Sequence, residues 1–458
     1  MIGSQENTIC TISTKKGEGA IAIIRISGNK AISICHKIFF SKKINTKNNF
    51  KANTIYFGKI KKENIIIDEV LLTYFKAPKS YTGEDVIEIS CHGSEFIQES
   101  IIQLLIENGC TVAKRGEFTL RAFLNGKLDL SQAEAVANLI SSKNEKSHNL
   151  AMKQMRGGYS NQIKSLRDKL IKFGALIELE LDFSTEDVEF ANREELLELL
   201  SLMKEKIKPL IESFKYGNAI KNGIPIAIVG PPNSGKSTLL NKILNEERAI
   251  VSNIKGTTRD VIEETLNIQG FQFRFIDTAG LRKTKDKIEK IGIKKTYQKI
   301  NEAAIIIYVF DINDFNSNQV KEDIMSFSEK GTESILLANK IDLSKKKASI
   351  KDLDKEIIYC SVLNNEGLEK IQSSVLQKIK NWENINQDFV ITNQRHYEAL
   401  TNTLKSVESV NNGILSNISG ELLAIDIKEA LQHLGEITGE ITNEHLLDSI
   451  FKDFCIGK

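Results

Sequence analysis

Gly230-Pro231-Pro232-Asn233-Ser234-Gly235-Lys236-Ser237 fits the phosphate-loop pattern G-x-x-x-x-G-K-[ST]. The apolar run at 224–229 before it reads as a buried strand, and 238–244 after it reads as a helix. A strand, a glycine-rich turn and a helix N-terminus aim backbone N–H groups at one point, which suits phosphate oxygens. Lys236 is then placed for the β- and γ-phosphates, and the Ser237 hydroxyl for Mg²⁺. Such a pattern alone arises by chance, so its neighbours decide the reading.

Three further motifs occur in order. Gly256-Thr-Thr-Arg-Asp260 contains Thr258, the expected second Mg²⁺ ligand. Asp277-Thr-Ala-Gly280 follows the strand pattern of 271–276; Asp277 suits the Mg²⁺ shell and the Gly280 N–H a γ-phosphate. Asn339-Lys-Ile-Asp342 follows the apolar run 334–338. The Asp342 carboxylate accepts from guanine N1–H and the 2-amino group, donors that adenine lacks. Ser361 and Val362, after a short strand, close over the base. The expected GTP-contacting set is Asn233, Ser234, Gly235, Lys236, Ser237, Thr238, Ser252, Asn253, Ile254, Lys255, Gly256, Thr257, Thr258, Asp277, Thr278, Ala279, Gly280, Asn339, Lys340, Asp342, Ser361, Val362 and Leu363. Each fragment alone is weak in a chain rich in lysine and asparagine. Four in this order resemble a Ras-like P-loop G domain over residues 220–380.

Leu281 stands where Ras-like proteins place a water-orienting glutamine, and no arginine lies in the phosphate loop. The loop resembles those of potassium-stimulated GTPases, which hold a monovalent cation with an asparagine at the position of Asn233. That resemblance implies a K⁺ site of Asn233, Ser252, Ile254 and Thr257, with the cation in place of an arginine finger. The alternative is an Asn233 that only satisfies loop backbone. Glu289, in the charged stretch after Asp277, resembles an acidic residue that orients water in the family named below, against a plain solvated helix carboxylate. With Lys236 and Asn233 it makes the expected catalytic group of the G domain.

Around this segment the pattern changes. The first 120 residues mix β-rich runs (21–26, 65–72) with a helix over 95–108 stopped by Gly109. Helical periods come next: Ile163, Leu166, Leu170, Phe173 and Ile177, then Leu196, Leu200, Met203, Ile207, Leu210 and Phe214, with Pro209 as a candidate kink. Helical periods return at 397–410 and 423–434. The expected fold is multidomain α/β plus α: a small α/β N-terminal domain over 1–120, a discontinuous helical domain over 121–219 and 381–458, and the G domain inserted at 220–380. Net charge is +2 over 458 residues, so a polyanion must be met by a local patch. Neither a signal-peptide pattern nor a membrane-length apolar run is present, and six cysteines show no C-x-x-C spacing. A cytoplasmic chain with free thiols and no membrane partner is expected.

Gly83-Glu-Asp85, the run from Arg121 through Gly126-Lys-Leu-Asp129 to Glu134, and the terminal Phe454-Cys-Ile-Gly-Lys458 complete a wider resemblance. The chain closely resembles the MnmE (TrmE) family of bacterial tRNA modification GTPases over nearly its whole length. The resemblance implies a homodimer formed through N-terminal domains, and a heterotetramer with the FAD-containing partner MnmG. It implies that tRNA receives a (carboxymethyl)aminomethyl group at C5 of the wobble uridine. The one-carbon unit comes from 5-formyl- or 5,10-methylene-tetrahydrofolate, with GTP hydrolysis, Mg²⁺ and K⁺. It places a 5-formyl-tetrahydrofolate site at Arg25, Glu88, Lys127 and Lys458, and a cysteine, catalytic or plain, at Cys455. Ser13-Thr-Lys-Lys-Gly-Glu-Gly19 departs from the Pro- and Gly-rich segment usual in the family. Competing readings are a regulatory GTPase that binds ribosomal RNA during ribosome assembly and a dynamin-like mechanical GTPase.

Overall fold

The computed structural model describes residues 7–41, 50–183, 190–246, 264–276, 303–328, 333–343, 356–383, 389–452, 454 and 457. The chain divides into two compact units. One contains residues 1–141, 151–203 and 399–458, the other residues 142–150 and 204–398.

The first unit opens with β1 (Ile9–Ile12), β2 (Gly19–Ser27), α1 (Ala31–Ile38), β3 (Phe39–Phe40), β4 (Thr54–Lys62), β5 (Ile65–Phe75), β6 (Val86–Gly93), α2 (Glu95–Glu107) and β7 (Thr111–Val112). They form a seven-stranded sheet in the order β3-β4-β5-β6-β2-β1-β7, antiparallel except where β7 joins β1. Both predicted strands are present and longer than their apolar runs, β2 extending through Gly19, Ala20 and Ser27 and β5 through Thr73, Tyr74 and Phe75. Ile24, Ile26, Ile60, Leu72, Ile87 and Ile89 are fully buried, packed with Ile34, Cys35, Ile101 and Leu105 of the two helices. The lysine-rich segment after β1 is the β1–β2 connection; the Ser13 N–H donates to Ile23 O at 2.8 Å, and Gly17 has φ +125°.

Helices then take over: α3 (Glu117–Leu124), α4 (Leu130–Ser141), α5 (Glu145–Met155), α6 (Gly158–Asp182) and α7 (Arg193–Asn222). Asp129 and Gln132 cap α4 reciprocally, each side chain accepting from the other's N–H at 2.7 and 2.9 Å. Ile163, Leu166, Leu170 and Ile177 are buried as their spacing predicts, and Phe173 is half-buried. Along α7 the expected seam is buried from Leu196 to Leu210, and the helix runs on through Pro209.

The second unit holds β8 (Ile224–Val229), α8 (Lys236–Glu246), β9 (Glu264–Ile268), β10 (Phe271–Ile276), β11 (Ile305–Asp311), α9 (Ser317–Ser328), β12 (Glu333–Asn339), β13 (Ile357–Tyr359) and α10 (Leu368–Glu383). Its six-stranded sheet has the order β13-β12-β11-β8-β10-β9, parallel except for edge strand β9. The central parallel strands are buried on both faces, hence their unbroken apolar runs. The chain ends with α11 (Gln394–Leu415), α12 (Gly420–Thr438) and α13 (Glu444–Lys452). No helix among the described residues is long and apolar enough to cross a membrane.

Candidate functional site

The phosphate loop leaves the carboxyl end of β8 and enters α8, and its conformation is fixed by three positive-φ residues. Gly230 sits at φ +140°, where a Cβ would lie 2.0 Å from Val309 O of β11. Gly235 sits at φ +104°, where a Cβ would meet Asn339 Nδ2 at 2.1 Å. Both positions therefore require glycine. Asn233 is left-handed at φ +60°, a conformation asparagine tolerates better than most residues. Asn233 is exposed and Ser234 is buried. The Lys236 ammonium donates to Gly230 O at 2.9 Å and to Pro231 O at 2.5 Å, holding its charge over the loop.

Asn339 ties two loops together. Its Nδ2 donates to Ser234 O at 2.9 Å and its Oδ1 accepts from Val362 N at 3.1 Å. Asp342 Oδ1 accepts the Ser361 hydroxyl at 2.6 Å, which fixes the carboxylate's orientation. Ser361 is itself held by a backbone bridge to Glu366. Val362 is buried, whereas the Leu363 side chain is 71% exposed. Lys340, left-handed at φ +65°, places its ammonium 2.8 Å from Asp311 Oδ2 at the end of β11. Burial pushes the Asp311 carboxyl up, but the bonds from Lys340 and Asn313 outweigh it and leave the group below its ordinary value. Asp311 was not singled out in the sequence; the aspartate closing the apolar run 305–310 was the available signal.

The fit to bound groups is visible in two places. Ser237 lies in the first turn of α8, directly after Lys236, where a hydroxyl can meet a cation beside the phosphates. The Ser234 hydroxyl is buried with no hydrogen-bond partner among the described residues, an orphan within the phosphate loop. Ser252, Asn253, Ile254, Lys255, Gly256, Thr257, Thr258, Asp277, Thr278, Ala279, Gly280, Leu281 and Glu289 lie outside the described residues, as do Cys455 and Lys458.

A second cluster lies in the first unit. Arg25 of β2 and Glu88 of β6 are cross-strand neighbours, and Arg25 Nε and Nη2 both reach Glu88 Oε1, at 2.9 and 2.7 Å. The guanidinium lies near the rings of Tyr81 and Phe118, 5.4 and 5.6 Å from their centroids. Its Nη1 donates to Gly457 O at 3.4 Å, so the chain's end meets the same point. Lys127 is exposed and donates to Pro78 O at 3.0 Å, on the loop that carries Tyr81. On the same loop Glu84 accepts from buried Arg121 at 3.1 Å, and Arg121 also joins Glu117 at 2.9 Å. The fold thus gathers Arg25, Glu88 and Lys127 around one loop. Tyr81 and Phe118 escaped the sequence reading because nothing in their local spacing marks them, and Arg121 entered it only as the start of a motif. Arg25, Glu88 and Lys127 present a carboxylate for N–H donors and cations for carboxylates, a set that fits a folate.

The five described cysteines, Cys10, Cys35, Cys91, Cys110 and Cys360, are buried and free. Burial pushes the Cys360 thiol up to about 12 and the Cys91 thiol up to about 11, where neither is nucleophilic at neutral pH.

Two family models match. One described as the MnmE helical domain covers residues 130–455, and one described as the GTP-binding protein TrmE N-terminus covers residues 8–127. The tRNA modification GTPase MnmE of Flavobacterium johnsoniae is 51% identical, with 99% of each chain aligned. That of Christiangramia forsetii is 49% identical over 99% of each chain, and that of Cytophaga hutchinsonii 48% identical over 100% of this chain and 99% of its own.

Proposed function

The chain belongs to the MnmE family of tRNA modification GTPases, and from that premise we propose that it is a K⁺-stimulated GTP hydrolase that, with the flavoprotein MnmG, builds a (carboxymethyl)aminomethyl group at C5 of the wobble uridine from a tetrahydrofolate one-carbon unit. The observation that carries this reading is a chain-long match to relatives of that name, in a molecule that holds both a phosphate loop and the Arg25–Glu88–Lys127 cluster. The working layout remains a folate domain over 1–120, a helical domain over 121–219 and 381–458, and a G domain over 220–380.

In the G domain, Lys236 and the amides at the head of α8 bind phosphates. Asp342, oriented by Ser361, accepts the two guanine donors. Lys340, held by Asp311, flanks that carboxylate in the chain. Ser237 with Thr258 would hold Mg²⁺, and Asn233 with Ser252, Ile254 and Thr257 would hold K⁺. A cation at Asn233 supplies the positive charge that an arginine finger supplies elsewhere. Glu289 orients water. In the N-terminal domain, Glu88 receives N–H donors while Arg25 holds it in place. Lys127 and Lys458 meet the acidic tail of the folate. Cys455 is the candidate thiol.

Dimerisation through this domain draws support from the outer face of its sheet. Ile55 and Phe57 on β4, Leu71 on β5 and Ile21 on β2 are 65, 60, 45 and 65% exposed, and the strand register puts Phe57 beside Leu71. Apolar sheet faces of this kind are rarely left to water.

GTP hydrolysis measured in K⁺ and in Na⁺ tests the cation site: faster turnover in K⁺ is expected, and equal rates would remove it. Mass analysis of wobble uridines in tRNA from cells lacking the protein tests the whole reading, which fails if C5 modification is unchanged. Folate binding separates this reading from a ribosome-assembly GTPase, for which such binding has no use.

A further inference from the structure

The second unit contains a cleft of about 570 Å³ that the nucleotide site does not use. It lies at the amino ends of β8 and β11, where Pro225 and Ala304 form its floor, while the phosphate loop lies at the carboxyl end of β8. One wall is the last two turns of α7, where Phe214, Asn218 and Asn222 recur every four residues and so share a face. Lys215 adjoins them, and Arg274 of β10, the cross-strand neighbour of Pro225, also lines the cleft. Gly223, at φ +80°, makes this possible: a Cβ there would meet Arg274 Cγ at 3.0 Å and Gln272 O at 3.1 Å. Phe214 is stacked on Tyr397, with ring centroids 4.6 Å apart.

The lining has a definite chemistry. It offers a guanidinium, an ammonium and two carboxamides, and no carboxylate among the described residues. The Arg274 guanidinium and the Lys215 ammonium suit an anion, while the carboxamide oxygens and the carbonyl end of α7 suit one that also brings hydroxyl donors. Inorganic phosphate at neutral pH meets only part of that demand. A ribose-phosphate chain, with its phosphates and 2′-hydroxyls, meets both parts. The protein's net charge of +2 gives no general attraction for RNA, so a local patch of this kind is needed.

We propose that this cleft seats the sugar-phosphate backbone of the RNA substrate, with Arg274 and Lys215 on phosphates and Asn218 and Asn222 on 2′-hydroxyls. The proposal rests on the tRNA-modification reading. β8 leads directly from the cleft to the phosphate loop, so RNA seated there would press on the strand that carries Gly230.

The test is a fluorescence-anisotropy titration of an unmodified tRNA transcript with the full-length protein across a salt series. Arg274→Gln and Lys215→Gln should each weaken binding about five- to tenfold and flatten the slope of log affinity on log salt by about 0.7–0.9. Asn218→Asp, which places a carboxylate in the wall, should weaken binding too. GTP hydrolysis in the absence of RNA should be unchanged in all three and so report an intact G domain. Should Arg274→Gln disturb the sheet, Lys215→Gln and Asn218→Asp on α7 decide the matter. Affinities and salt slopes equal to those of the unsubstituted protein would overturn the proposal while leaving the tRNA reading intact. An unsubstituted protein that binds no transcript while still supporting wobble modification together with its flavoprotein partner would overturn the proposal and place RNA recognition on the partner. Loss of both binding and modification would defeat the reading beneath it.

Discussion

In the proposed reading, base selectivity rests on the Asp342 carboxylate and its support. Oδ1 accepts the Ser361 hydroxyl at 2.6 Å, which holds the carboxylate's orientation. Asp342→Asn would present an amide donor to guanine's donors and should lower GTP affinity by about two to three powers of ten. Xanthosine triphosphate, whose 2-oxo group accepts, should recover most of that loss; competition binding with both nucleotides reads it. Ser361→Ala leaves the carboxylate unaided and should cost about tenfold in GTP affinity. The Asp311–Lys340 pair carries a pH dependence. Because the folded carboxyl lies below its ordinary value of 3.8, its contribution is complete above that value and is lost as pH falls through the folded one. The stability of the second unit should therefore owe nothing to the titration of Asp311 near neutrality and should lose the pair's contribution below the ordinary carboxylate range. Asp311→Asn should remove that part of the acid limb from a urea-unfolding profile against pH. Asp342 was legible in the sequence because a four-residue motif after a strand announces it. Asp311 was not, because its partner is distant in the chain and only the parallel register of β11 and β12 sets Asp311 beside Asn339.

Among the elements, α7 is the most constrained at one point. A Cβ at Gly217 would lie 2.0 Å from Ile391 O, and the Ile391 N–H donates to Ser213 Oγ at 3.1 Å. The segment before α11 thus crosses α7 backbone to backbone. Gly217→Ala should destabilise the second unit by about 2–3 kcal/mol, visible as a lowered unfolding midpoint in urea, with unchanged helix content below the transition. Lys208→Ala, at an exposed position of the same helix, serves as the internal comparison and should leave the midpoint nearly unmoved. The periodicity of α6 and α7 foretold their buried faces, since a 3.6-residue repeat is a local property. Strand β11 escaped, although residues 305–310 form an apolar run like those of β8 and β12, because no recognisable motif follows it to single it out.

For the whole molecule, the exposed apolar face of the seven-stranded sheet sets the expected assembly. Phe57→Glu with Leu71→Lys should shift the protein from dimer to monomer in sedimentation velocity while leaving the buried face, and hence the fold, intact. A protein that sediments as the same species before and after substitution would remove this face from the interface. By itself the sequence determined the phosphate-loop pattern, the helical seams and the family, and it proposed the guanine-reading aspartate, because each is written in spacings of a few residues that secondary structure converts directly into geometry. Only the tertiary structure decided that Arg25 meets Glu88 beside two aromatic rings, that Asn339 clamps the phosphate loop to Val362, and that Arg274 and the end of α7 line one cleft. Those contacts join residues far apart in the chain, and their distances are set by strand register and helix packing, which no local pattern encodes.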